Sequence, residues 1–342
     1  MTLAEYANFS NYAVASATVV LAFAFLAHLA EWAFGRRQFG VLRGRSATGQ
    51  VVRTASAGGA SGEAGSGEAG AGEAGDTLTV QESGEVETAF MRSEAAGRIG
   101  ISLTVLSALV LLAGVVTRGL AAERVPWGNM YEFAVAASLV ALVVYLILVQ
   151  IQQVQWLGPI VTGFAVIVLG STITYYVPAG PLVPALHSYW LVIHVAAAMI
   201  SGAAFLVGAG TSILYLVKSR AERLIPDQSD RVGYLWKLPT SAAMDQLAYR
   251  VHAFAFPIWT FGALIAGPIW AQYAWGRYWG WDPKEVWAFI TWVIYAGYLH
   301  ARATAGWKGK AAAIIAIIGF VSFLFNFVGV NLFVPGLHSY AK

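Results

Sequence analysis

Fourteen consecutive residues, Ala274-Trp275-Gly276-Arg277-Tyr278-Trp279-Gly280-Trp281-Asp282-Pro283-Lys284-Glu285-Val286-Trp287, hold four tryptophans and a tyrosine. Such a strip offers broad apolar faces edged by indole N–H donors, which suits a large planar aromatic ligand better than a small polar one. A belt of aromatics at a membrane interface accounts for tryptophan at helix ends. It does not account for a Trp-rich loop interleaved with Gly276 and Gly280, where glycine lets backbone or ligand approach closely. The end of the strip also has a structural reading. Asp282 fits the N-cap of a helix, Pro283 its first position and Glu285 its third, the pattern of a capping box. A further role for Asp282, such as orienting an indole or a ligand propionate, is secondary to that.

Two histidines fall on the same side of the chain's apolar segments as this loop. His194 lies about two turns inside the fifth segment, followed on its side by Ala197, Ala198, Ser201 and Gly202. Small residues there either leave a shallow groove beside the imidazole or pack tightly against another helix. His338 follows the last segment, after a Pro335-Gly336 break that ends the helix and can fold the tail back. Two imidazoles flanking an aromatic loop are what a six-coordinate haem iron requires. His300 follows Trp287 by thirteen residues, or about 20 Å of helix, and so lies near the opposite, inner end. An ionisable group at membrane depth is a functional candidate. His28 and Glu31 fit a pair on one helix face, while His187 and His252 carry no comparable arrangement.

The elements that position these residues follow from composition. Of 342 residues, 58% are hydrophobic and 11% charged, with a mean hydropathy of +0.63, whereas soluble domains average about 25% charged. A soluble globular enzyme is excluded, because the apolar surface exceeds what one core can hide and lipid must cover the rest. The expected fold is an all-α polytopic membrane helical bundle of eight spans, at about 11–34, 99–117, 131–151, 157–176, 188–217, 248–273, 285–301 and 311–333. The first is not a cleaved signal peptide, since its apolar stretch is too long and its basic residues follow it. Segments 35–98, 218–246 and 302–310 carry fifteen Lys and Arg and the opposite segments five, which places both termini on the outer face of the cell membrane. The net charge of +3 and pI near 9.0 are thus topology markers, and no nucleic acid is expected as partner.

The chain has no cysteine, which excludes a disulfide framework, a thiolate metal site, a CxxC redox pair and covalently attached haem. Any thiol chemistry comes from a partner. In 46–88 a Gly-Glu-Ala-Gly unit recurs at 62, 67 and 72 with almost nothing large and apolar to bury, which reads as a disordered cytoplasmic linker. The division is then an appended first transmembrane helix (1–35), a low-complexity cytoplasmic linker (36–98) and a membrane domain (99–342) with its Trp-rich loop at about 274–287.

These motifs resemble the CcsA/ResC family, named CcsB in some actinobacteria, the haem-handling proteins of the system II cytochrome c maturation pathway of bacteria and plastids. The matching pieces are the tryptophan-rich WWD motif from Trp275 to Glu285 with its continuation to Tyr298-Leu299-His300. With it come the block Pro184 to Val195, the Asn129-Met130-Tyr131-Glu132 loop and the terminal Gly336-Leu337-His338-Ser339-Tyr340. The resemblance covers roughly 100–342. It implies haem b carried to the outer face and held on the WWD domain, at Trp275, Gly276, Trp279, Trp281 and Asp282, between axial His194 and His338. It implies a second haem position in the membrane, at His300 and a histidine of a Ccs1/ResB-type membrane partner. The pair would join the haem vinyls to both thiols of a CxxCH motif in apocytochrome c, as a cytochrome c haem lyase (holocytochrome c synthase) subunit, with a thiol-reducing protein acting indirectly.

Composition agrees with that chemistry, since a chain without cysteine avoids side reactions with the vinyl groups. Bis-histidine ligation tunes the iron potential, and catalysis is mainly by positioning. The alternative is a di-haem membrane electron-transfer cytochrome, which needs four ligands in two facing helix pairs and leaves the Trp-rich loop idle. A transporter would need discontinuous spans and midplane carboxylates.

Overall fold

The computed structural model describes residues 1–47, 72–182, 186–226 and 234–337, except the side chains of 35–47, 72–87 and 89. Every regular element among them is helical. Helices satisfy their own backbone groups, which hydrocarbon cannot do for them. The order is α1 (Leu3–Ala47), α2 (Gly72–Ala122), α3 (Met130–Gln152), α4 (Gly158–Ser171), α5 (Tyr189–Leu224) and α6 (Ser241–Phe261). A π-turn at Gly262–Ala266 leads into α7 (Gly267–Trp275), followed by α8 (Pro283–Thr304) and α9 (Lys310–Leu324). A second π-turn at Phe325–Gly329 leads into α10 (Val330–Phe333).

All eight expected spans fall on these helices, and seven are long and apolar enough to cross a membrane. The chain is therefore a multi-pass membrane protein. The eighth, α8, has 22 residues, enough for about 33 Å, but Thr291, Tyr295, Tyr298, His300 and Arg302 lower its apolarity. Outward-facing Val19, Phe23, Leu109, Val116 and Ile167 are exposed in the isolated chain, as lipid-facing residues must be.

Contacts at the two ends show that successive helices alternate in direction. At one end the Asn11 carboxamide donates to the Tyr176 hydroxyl (3.0 Å) and the Leu337 amide to Asp282 (2.7 Å). At the other, the Tyr234 hydroxyl donates to Glu31 (3.2 Å), Lys218 to the Leu235 carbonyl (2.8 Å), and Arg302 clamps Asp245 at 2.8 and 3.0 Å. Burial and the neighbouring Glu31 carboxylate push the Tyr234 phenol up, so it remains a donor. The described parts of loops 125–132 and 177–189, the 275–287 loop and the segment up to Leu337 thus share one end.

The first helix is integrated into the bundle. His28 is fully buried, and a Cβ on Gly100 of α2 or Gly158 of α4 would collide with its ring. Its Nδ1 lies 3.7 Å from Glu31 Oε2, the pairing expected from their spacing. Helix takes in part of the stretch read as linker, since α1 runs through 46–47 and α2 starts at Gly72. The remainder, 48–71, lies outside the described residues.

Helix α5 is buried along much of its length. Its small residues are mostly filled by neighbours, Gly202 by Phe323 and Gly208 by His252, while Ala197 meets Gly262. Tight packing accounts for most of this run, and the cavity beside His194 lies toward the N-terminal end of α5.

Candidate functional site

His194 is held by an irregularity in the facing helix. At Gly262–Ala266 the helix widens by one residue per turn, and the Gly267 amide donates to the Gly262 carbonyl five residues back. The same carbonyl lies 2.8 Å from His194 Nδ1. A carbonyl can only accept, so Nδ1 carries the proton and Nε2 keeps its lone pair. The ring also stacks on Trp270, with centroids 5.9 Å apart and planes 12° off parallel. An imidazole oriented through Nδ1–H with Nε2 open is the usual state of a metal-ligating histidine. π-Turns recur at functional sites for this reason: they redirect a backbone group.

His194 lines a cavity at the end of the bundle that holds the Trp-rich loop. Its other walls include Trp127, Asn129, Met130, Trp259, Trp270, Trp275, Trp279, Lys284, Asn326 and Phe327. Trp275 ends α7 and meets Trp270 edge-on at 4.9 Å. Trp279 meets Trp281 edge-on at 5.8 Å. Trp281 stands outside the cavity, 66% exposed and with φ of +57°, a strained conformation for a bulky residue.

The two loop glycines have local reasons that differ from ligand approach. Gly276 has φ of +74° and caps α7, its amide donating to Gln272, with open space where a Cβ would point. Glycine takes that conformation without steric cost. A Cβ on Gly280 would strike the Arg277 guanidinium, so this glycine makes room for an arginine.

Asp282 is the expected N-cap of α8, completing a capping box with Glu285, whose Oε2 accepts the Asp282 amide at 3.0 Å and the Gly280 amide at 2.8 Å. It has a second partner that its motif did not signal. Its Oδ1 accepts the Leu337 amide at 2.7 Å, and a Cβ on Gly336 would meet Asp282 Oδ1 at 2.8 Å and Pro283 Cδ at 3.2 Å. The tail is therefore drawn onto the loop one residue before His338, which itself lies outside the described residues.

Three polar side chains in the wall escaped the motif reading. Lys284 makes no ion pair among the described residues and its ammonium lies 5.9 Å from the Phe327 ring centre. Asn326 Oδ1 and Trp259 Nε1 are buried without a hydrogen-bond partner. Lys284 was visible within its motif, but its place in the wall depends on α9 packing, and Asn326 and Trp259 had no local signal. The loop that supplies Trp127 to Met130 to the cavity wall is braced by Glu132, whose fully buried carboxylate accepts from Arg118 Nε (3.1 Å), Arg124 (2.7 Å) and the Gly128 amide (2.9 Å). Both arginines reach across to the Val177 and Gly180 carbonyls.

The remaining histidines are dispersed. His300 is exposed on the outward face of α8, in line with Phe289, Val293 and Gly297, close to the end where Arg302 binds Asp245. His252 is enclosed by Phe205, Tyr295 and Tyr298 at ring separations of 6.1, 5.1 and 5.2 Å. His187 is exposed in the loop before α5.

Residues 127–338 match the cytochrome C assembly protein family. The chain is 38% identical over 246 residues to the cytochrome c biogenesis protein CcsA of Heterosigma akashiwo, covering 63% of this chain and 76% of that protein. To the protein of the same name from Guillardia theta it is 36% identical over 258 residues, 71% of this chain and 85% of the relative. For that of Parasynechococcus marenigrum the figures are 38% over 283 residues, 74% and 90%. The match takes in α3 to α10, the cavity and the Trp-rich loop, and the chain therefore belongs to the cytochrome c assembly protein family, of the CcsA type.

Proposed function

We propose that this protein holds haem b at the extracytoplasmic end of the bundle and presents it for covalent attachment to apocytochrome c. Family membership gives the broad role, cytochrome c maturation. The observation that carries the finer reading is His194, fixed through Nδ1 with Nε2 open in a tryptophan-walled cavity. The donor set fits haem: an oriented neutral imidazole, flat indole surfaces and a lysine in the cavity wall that forms no ion pair among the described residues. His338 is the proposed second axial ligand, its segment brought to the loop by Asp282. When haem is bound, the thiols of a CxxCH motif add across its vinyl groups, each sulfur bonding to one vinyl carbon and each proton going to the other. The chain's own residues orient and exclude water, as a haem lyase subunit that works by positioning.

The exposed His300 faces away from the bundle and suits a ligand position shared with a histidine of a Ccs1/ResB-type partner in the membrane. The excess of basic residues on segments of the other end supports a cavity end, and both termini, on the outer face. A di-haem electron-transfer cytochrome gains no support, since His28 and His252 are enclosed by their own packing.

The test is haem content and cytochrome c assembly in cells carrying His194→Ala or His338→Ala at normal protein level. Both variants are expected to lose retained haem and to abolish assembly. Normal haem and normal assembly in both would overturn the axial assignment.

A further inference from the structure

The cavity wall that holds His194 also holds a lysine in no ion pair among the described residues and a carboxamide whose oxygen has no hydrogen-bond donor. Lys284 sits in the first turn of α8, makes no ion pair among the described residues, and its ammonium rests over Phe327. Asn326, the residue before Phe327, is 5% exposed, and its Oδ1 has no hydrogen-bond partner. The second π-turn turns both 326 and 327 toward the cavity. A buried carbonyl oxygen without a donor costs free energy comparable to a lost hydrogen bond, and interchanging the O and N of this carboxamide turns its NH2 into the cavity instead. The Lys284 ammonium, in a water-poor cavity, attracts an anion more strongly than it would in water, and together the two suit a carboxylate.

We propose that Lys284 and Asn326 form a carboxylate subsite that selects which edge of the haem enters the cavity. This rests on the haem reading above and names the part of the ligand recognised, the propionate side chains. Lys284 supplies the charge. The Asn326 carboxamide, turned so that Nδ2 faces the ligand, donates to the same carboxylate. The vinyl-bearing edge then points away from this wall, so the subsite fixes the haem's orientation and leaves its vinyls for the substrate thiols.

The experiment titrates the purified full-length apoprotein with ferric haem and with haem dimethyl ester, whose propionates carry no charge, following absorbance. Wild type is expected to bind haem at least about tenfold tighter than the ester. Lys284→Gln loses that preference, Lys284→Arg keeps most of it, and Asn326→Leu reduces it. Equal affinity of wild type for haem and ester overturns the proposal, as does a Lys284→Gln protein that keeps the full preference. His194→Ala reports on the underlying reading separately. It should weaken haem and ester alike, and if it changes neither, the haem site itself is misplaced whatever Lys284 does.

Discussion

Asp282 and Leu337, 55 positions apart, are joined by a hydrogen bond of 2.7 Å from the Leu337 amide to Asp282 Oδ1. One carboxylate therefore starts α8 and anchors the tail, so the loop and the segment leading to His338 are set by the same residue. Gly336 permits the approach, because any side chain there would crowd Asp282 and Pro283.

Leu337→Pro separates the two duties, since proline has no amide N–H to donate while the Asp282 cap on α8 stays intact. The variant should accumulate normally and lose haem on purification, whereas Asp282→Ala should also cost about 1 kcal/mol of helix capping. Haem content measured against protein level distinguishes them. Full haem retention in Leu337→Pro would mean that the anchor is dispensable.

Gly262→Ala places a Cβ 2.9 Å from Ala197. Overpacking of this kind costs about 1–3 kcal/mol and moves the carbonyl that orients His194. The expected outcome is reduced haem affinity from a residue whose side chain touches no ligand, together with a lower melting temperature in detergent. Unchanged affinity would show that the Gly262 carbonyl does not set the imidazole.

Glu132→Ala leaves Arg118 and Arg124 without their shared carboxylate. Removing one partner of a buried ion pair costs about 3–5 kcal/mol, so the variant should unfold at clearly lower temperature. Its protein level should fall more than its haem per molecule. A stable protein with low haem would mean that Glu132 acts on the ligand instead of bracing its loop.

His300→Ala should accumulate normally, because this imidazole is exposed, and should impair loading of haem if it is the proposed inner ligand. His28→Ala should instead loosen α1 from α2 and α4, lowering stability with little effect on haem per folded molecule. Comparison of haem content in the two purified variants decides, and a larger haem defect in His28→Ala would assign the inner ligand to the first helix.

Much of this architecture is legible in the chain. Runs of some twenty residues without charge favour helices in hydrocarbon, so each of the eight expected spans falls on helix, seven of them long and apolar enough to cross, and the capping box at Asp282 needs only local spacing. The side chains of the cavity wall depend instead on long-range packing. Trp270 reaches His194 only because α5 and α7 pack together, and Asn326 reaches the cavity only through a π-turn that no local motif announces. Gly276 and Gly280 illustrate the limit differently: their presence was legible, while the reasons, a positive φ and an arginine overhead, were set by the folded loop. The π-turn at Gly262 turns an ordinary apolar helix into the element that orients the imidazole.

The proposed ligation of haem iron by His194 Nε2 leaves a spectroscopic signature. The direct measurement is the reduced absorption spectrum of His194→Gly purified without and with free imidazole, beside wild type. The predicted result is a bis-imidazole spectrum in wild type, its loss in the variant and its return when imidazole fills the vacancy. A variant whose spectrum matches wild type without imidazole would contradict the account.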